Sequence, residues 1–145
     1  MNHKEKAVDC FKNNFNCSQA VFSSYSEELG LDKESALKIG CGFGAGMARM
    51  GETCGAVTGA FMAIGLKYGK SIPADDAARD KTYSKMHDFV NEFKLKNHSI
   101  VCRELLGCDL GTPEGQQFSK ENNLFANVCL DLVGDAAEIL EKILE

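Results

Sequence analysis

Gly55, Gly59 and Ala63 recur at four-residue intervals within Cys54–Leu66, the longest apolar stretch of the chain. That interval sets the three on one face of a helix. A face without side-chain bulk lets a second backbone lie directly against it; the rule is best known from membranes, but its steric reason holds in any core. Such a stripe asks for a helix-on-helix fold. With only two prolines among 145 residues, long helices are favoured over a loop-rich chain.

Periodicity elsewhere agrees. Residues 3–13 place Ala7, Val8, Cys10 and Phe11 near one face. Asn16 or Ser18 is placed to cap a second helix to about Glu28, with Ala20, Val21, Phe22, Tyr25 and Leu29 at helical spacing and Gly30 as its stop. Asp32 caps a third, with Ala36, Leu37 and Ile39 inward. A glycine run from 40 to 51 then reads as a loop or an interrupted helix. Thr53 is the expected cap of a fourth helix over 54–68. Pro73 is placed to start a long helix over 75–96, whose stripe is Ala78, Thr82, Met86, Phe89, Val90 and Phe93. A short helix follows from Cys102, stopped by Gly107. Thr112-Pro113-Glu114 opens another, and the last is expected over 124–144. No strand pattern appears. The expected architecture is all-α, one domain over 1–145, a bundle of five or six helices.

Charge narrows the function classes. Sixteen basic residues against twenty-one acidic ones leave a net charge of −5, and the basic residues are scattered, which argues against nucleic acid as the partner. The N-terminus has no apolar leader core. Cys54–Leu66 is shorter than the ~20 residues that cross a bilayer. The expectation is a soluble, cytoplasmic protein without membrane insertion. No nucleotide, phosphate or flavin motif is present.

The seven cysteines carry the remaining signal. An odd number does not suit a paired disulfide scaffold, and in a reducing compartment so many thiols point to metal ligands or redox chemistry. Free cysteine is also an ordinary buried apolar residue, so some of the seven are expected to be inert. No C-x-x-C or C-x-x-C-H is present. Cys102 and Cys108 lie six apart, and any site must be assembled from distant segments.

Several segments together resemble the family of redox-active proteins named for its cysteine signature, C_GCAxxG_C_C. They are Asn16-Cys17-Ser18-Gln19-Ala20-Val21, the glycine run to Gly51, Cys54-Gly55-Ala56-Val57-Thr58-Gly59, Gly65-Leu66-Lys67-Tyr68-Gly69, and the run from His98 to Gly107 containing Cys102-Arg103-Glu104-Leu105-Leu106. Cys129 before Asp135-Ala136-Ala137-Glu138 completes the order. The resemblance maps the signature cysteines onto Cys17, Cys54, Cys102 and Cys129, with Cys108 as the substitute for the fourth, and leaves Cys10 and Cys41 as extras. It implies a redox role. A further likeness to the non-haem iron part of split-Soret cytochromes implies an iron–sulfur cluster, although this chain lacks their haem attachment sites.

Two mechanisms fit. In one, Cys54 is a thiolate acidified at a helix N-terminus, opposed by Glu52 and aided by Arg49, with Cys17 or Cys102 as its resolving thiol and His98 as a base. In the other, Cys17, Cys54, Cys102 and Cys129 hold an iron–sulfur cluster or zinc. Gly55 and Gly59 let the backbone and a facing helix approach Cys54, or serve packing alone. Arg103 and Glu104 form a local ion pair or a supporting shell. A third reading is a structural helical domain that forms a homodimer through its glycine face or last helix. Either redox mechanism needs a redox partner that the sequence does not identify.

Overall fold

The computed structural model describes every residue, Met1–Glu145. It is helical throughout, with one isolated antiparallel bridge, Thr53 to Val101. The right-handed α-helices are α1 (His3–Lys12), α2 (Cys17–Ser26), α3 (Lys33–Gly40), α4 (Gly55–Tyr68), α5 (Asp76–Asn97), α6 (Cys102–Leu106), α7 (Pro113–Glu121) and α8 (Leu130–Ile143). There are eight of these rather than the expected five or six, because the short α6 and α7 stand as separate helices between stops at Gly107 and Asn122. A further helical segment, Gly44–Met47, has left-handed backbone.

The sequence signals for starts and stops were sound for α2 and α3, where Asn16 and Asp32 accept from the N–H groups of Gln19 and Ser35. They failed at α4 and α5. Thr53 is drawn into the bridge with Val101, so Cys54 occupies the cap position of α4. Pro73 stays in the loop, and Asp75 caps α5 with its carboxylate on the Ala78 N–H. The last helix does not begin as an α-helix either: Phe125–Cys129 is a π-helical turn leading into α8.

The core forms where α2, α4, α5 and α8 meet, around Val21, Val57, Ile64, Phe89, Val133 and Leu140. Phe89 stacks near Phe93 at 5.8 Å between centroids and meets Phe61 edge-on. The Gly55–Gly59–Ala63 stripe faces inward. A Cβ built on Gly59 would lie 2.7 Å from the Ser18 carbonyl oxygen and 3.2 Å from the Val21 Cβ, so α2 seats directly on α4. That contact consumes the face expected to pair two copies, and α8 is likewise buried along its apolar side.

Outside the core, His3 ties α1 to the ends of α2 and α8. Its ring stacks on Tyr25, centroids 3.9 Å apart, and its two nitrogens meet Glu28 and Glu141. Burial opposes its charge, but hydrogen bonds to both carboxylates outweigh that, and its pKa is raised. A raised folded-state value stabilises fully below the unfolded value, about 6.5, and is lost as pH rises through the folded value. Urea midpoints measured from pH 6 upward should therefore fall by the equivalent of about 1 kcal/mol, and His3→Gln should flatten that decline.

Candidate functional site

Local hydrogen bonding brings three helix starts to one place. Asn16 caps α2 by accepting the Gln19 N–H on its Oδ1, donates its own N–H to the Gln19 Oε1, and donates through Nδ2 to the Cys41 carbonyl at 2.8 Å. That double tie fixes Cys17, the first residue of α2, beside the glycine run. The Cys54 N–H donates to the Ile100 carbonyl at 2.7 Å, and the Cys102 N–H to the Glu52 carbonyl at 2.6 Å. These bonds join the cap of α4 to the first residue of α6. Cys129 closes the π-helical turn, whose extra residue shifts its angular position relative to a continuous α-helix.

Between these helix starts lies an unusual backbone segment. Ala45, Gly46, Met47, Ala48 and Arg49 all have positive φ, between 53° and 67°. The Ala48 N–H bonds back to the Gly44 carbonyl at 2.9 Å, completing a left-handed helical turn. Each non-glycine residue there costs roughly 1–2 kcal/mol relative to the right-handed form, and such backbone persists only where its surroundings over-determine it. Gly46 shows the constraint: a Cβ on it would stand 2.7 Å from both the Cys102 Cβ and the Glu52 nitrogen.

The result is a cavity of about 780 Å³ lined by Cys17, Cys54, Cys102 and Cys129. Cys54, Cys102 and Cys129 are buried; Cys17 keeps partial exposure. Leu106 and Leu110 are among the buried apolar lining, while Phe15, Cys41, Arg49 and Phe125 are exposed lining residues at the mouth. No aspartate, glutamate or histidine lines it. All seven cysteines are free thiols.

The other expected participants separate. Cys108 does not line the cavity, although it is near enough to Cys102 and Cys129 to influence both. Cys10 lies elsewhere, 3.7 Å from the Ser23 hydroxyl. Gly55 lines the cavity and leaves the space that the Cys17 sulfur fills; Gly59 lies outside and serves packing. His98 is an exposed residue at the C-terminal cap of α5 with φ 70°, so it does not share a helical turn with Cys102. Arg103 pairs with Glu52 at 3.0 Å rather than with Glu104, which accepts from the Ser99 hydroxyl.

Electrostatics reverse the expectation of an acidic Cys54. Its pKa is pushed up to about 12, by burial first and then by the neighbouring Cys17; the N–H groups of Ala56 and Val57 pull the other way without prevailing. Cys102 is also pushed up to about 12, by burial and then by Cys17 and Cys108. Cys17 and Cys129 rise for the same leading reason. The helix start does favour thiolate, but desolvation wins by magnitude. Without a cation these are protonated thiols at neutral pH, which is unfavourable for a nucleophile.

Four thiols without competing carboxylate or imidazole suit soft metals and iron–sulfur clusters. Backbone N–H groups of Ala45, Ser18 and Gly55 favour a negative sulfur at Cys17, and the bare Cα positions of Gly44, Gly46 and Gly55 let Asn16, Cys102 and Cys17 pack directly against the backbone. No three side chains close on a point that would hold a single ion. A cysteine-rich, largely apolar lining is the donor chemistry that iron–sulfur clusters use.

Sequence reasoning missed the left-handed turn, the π-helical turn and the second bond of Asn16. The Gly42-Phe43-Gly44-Ala45-Gly46 spacing was a signal for unusual backbone; nothing in the sequence marked the π turn. Among known proteins, the family described as "Putative redox-active protein (C_GCAxxG_C_C)" matches residues 15–143. No curated protein and no solved structure matches the chain.

Proposed function

The chain belongs to the C_GCAxxG_C_C family, and we propose that it is an electron-transfer protein whose Cys17, Cys54, Cys102 and Cys129 hold an iron–sulfur cluster. The observation that carries this reading is that Cys17, Cys54, Cys102 and Cys129, from four separate segments, line one largely apolar cavity, with Cys41 as a fifth, exposed lining cysteine. A bound cluster would supply one-electron oxidation and reduction. The chain's own residues do the rest. Leu106 and Leu110 form one buried cluster with Cys102 and Cys129 and keep water from those two sulfurs. The N–H groups of Ala45, Gly55, Ala56 and Val57 offset negative charge on Cys17 and Cys54, which raises a reduction potential. Asn16 and the Cys54 and Cys102 backbone bonds hold the sulfurs in place before anything binds.

Serine substitution tests the assignment. Cys17→Ser, Cys54→Ser, Cys102→Ser and Cys129→Ser should each lower iron content and visible absorbance at least about fivefold after anaerobic isolation. Cys10→Ser, outside the cavity, should change neither. Equal iron in all five variants would sink the assignment.

A second reading rests on Cys108, which packs against the small buried cluster that holds Cys102. The two would form a dithiol couple, losing two electrons and two protons together to a disulfide acceptor as one S–S bond forms and the acceptor's is reduced to two thiols. It predicts full activity toward small disulfides in Cys17→Ser and loss in Cys108→Ser.

A further inference from the structure

Lys12 and Arg49 are the only charged residues that line the cavity, and neither takes part in a salt bridge. In a chain of net charge −5, two unopposed cations at one mouth are a local reversal of sign. Arg49 is itself the last residue of the left-handed segment. The cavity is also larger than its sulfurs need: about 780 Å³ falls within the ~300–1,000 Å³ typical of small-molecule sites. Phe15 and Phe125, 37% and 49% exposed, add aromatic surface to the same mouth.

We infer that the cavity binds a small organic acid, its carboxylate held by Lys12 and Arg49 and its apolar body lying against Phe15 and Phe125 beside the sulfur end. Charge complementarity sets the sign of the ligand, and the aromatic walls set the character of its body. The inference names the class of molecule that would meet the proposed redox centre, and it rests on that reading for any chemistry. The binding itself does not.

Isothermal titration calorimetry of the anaerobically isolated protein with 1-naphthoate and 1-naphthamide tests it, because the two differ in charge and hardly in shape. Naphthoate should bind about tenfold more tightly. Arg49→Met and Lys12→Met should each weaken naphthoate about fivefold and leave naphthamide unchanged. Lys94→Met, an exposed lysine of α5 that does not line the cavity, should change neither. Equal affinity for the two probes, no binding of either, or indifference to both cavity substitutions would overturn the site. Iron measured in the same samples separates the two claims. Iron-free protein that still prefers naphthoate keeps the site and loses the cluster; iron-bearing protein without the preference does the reverse.

Discussion

Gly59→Leu should lower stability by about 3 kcal/mol, roughly a 10 °C fall in Tm for a chain of this size. Even the first added carbon meets the Ser18 carbonyl oxygen at 2.7 Å and the Ser18 Cα at 3.2 Å. Both are backbone atoms of α2, so no side chain can swing aside; α2 and α4 must part. The pair is the most extensive helix contact in the molecule. Replacing a helical glycine ordinarily gains up to about 1 kcal/mol, and here overpacking reverses that sign. Gly65, in the same helix, has nothing within 4 Å of a built Cβ. Gly65→Ala should accordingly raise stability by up to about 1 kcal/mol. Thermal melts of the two variants should move in opposite directions, and a common direction would refute the packing account of the stripe.

Gly46→Ala should abolish the sulfur site while leaving most of the helical content. Its φ of 66° costs an alanine about 1 kcal/mol. The larger effect is contact: the new methyl would lie 2.7 Å from the Glu52 nitrogen and the Cys102 Cβ. Glu52 is held from both sides, its N–H on the Gly46 carbonyl at 2.9 Å and its carbonyl on the Cys102 N–H. Relief therefore moves Cys102 away from Cys17 and Cys54. A total cost of about 3 kcal/mol follows, with iron content falling to background. Circular dichroism beside iron analysis distinguishes this from global unfolding. Wild-type iron content in a folded variant would show that the turn does not set the site. Gly55→Ala differs in degree, since the atom it crowds most is the Cys17 sulfur, the movable end of a side chain, with the Gly44 Cα and the Phe43 carbonyl oxygen at 3.1 Å.

Much of the fold was legible because helices announce themselves locally. The four-residue glycine spacing, the Asn16 and Asp32 caps and the stripe of α5 each depend on a few adjacent residues, and each is realised. The failures share a cause. Thr53 looks like a cap until Val101, forty-eight positions away, takes its backbone into a bridge. Cys54 looks acidified until the fold buries it among other thiols. His98 and Cys102 share a helical spacing but not a helix. The order of motifs pointed to Cys17, Cys54, Cys102 and Cys129, all of which line the cavity, but it passed over Cys41, which lines it too, and nothing in the sequence signalled the π-helical turn that ends at Cys129.

Cys54-Gly55-Ala56-Val57-Thr58-Gly59 supplies one sulfur, a space for the Cys17 sulfur and a seat for α2. The redox reading depends on what the convergent thiols hold. Iron and acid-labile sulfide, determined on wild-type protein isolated without oxygen and again after reconstitution, test it most directly. The account predicts brown protein with iron and sulfide in equal numbers, about two or four of each per chain. Colourless protein with neither, before and after reconstitution, would contradict it.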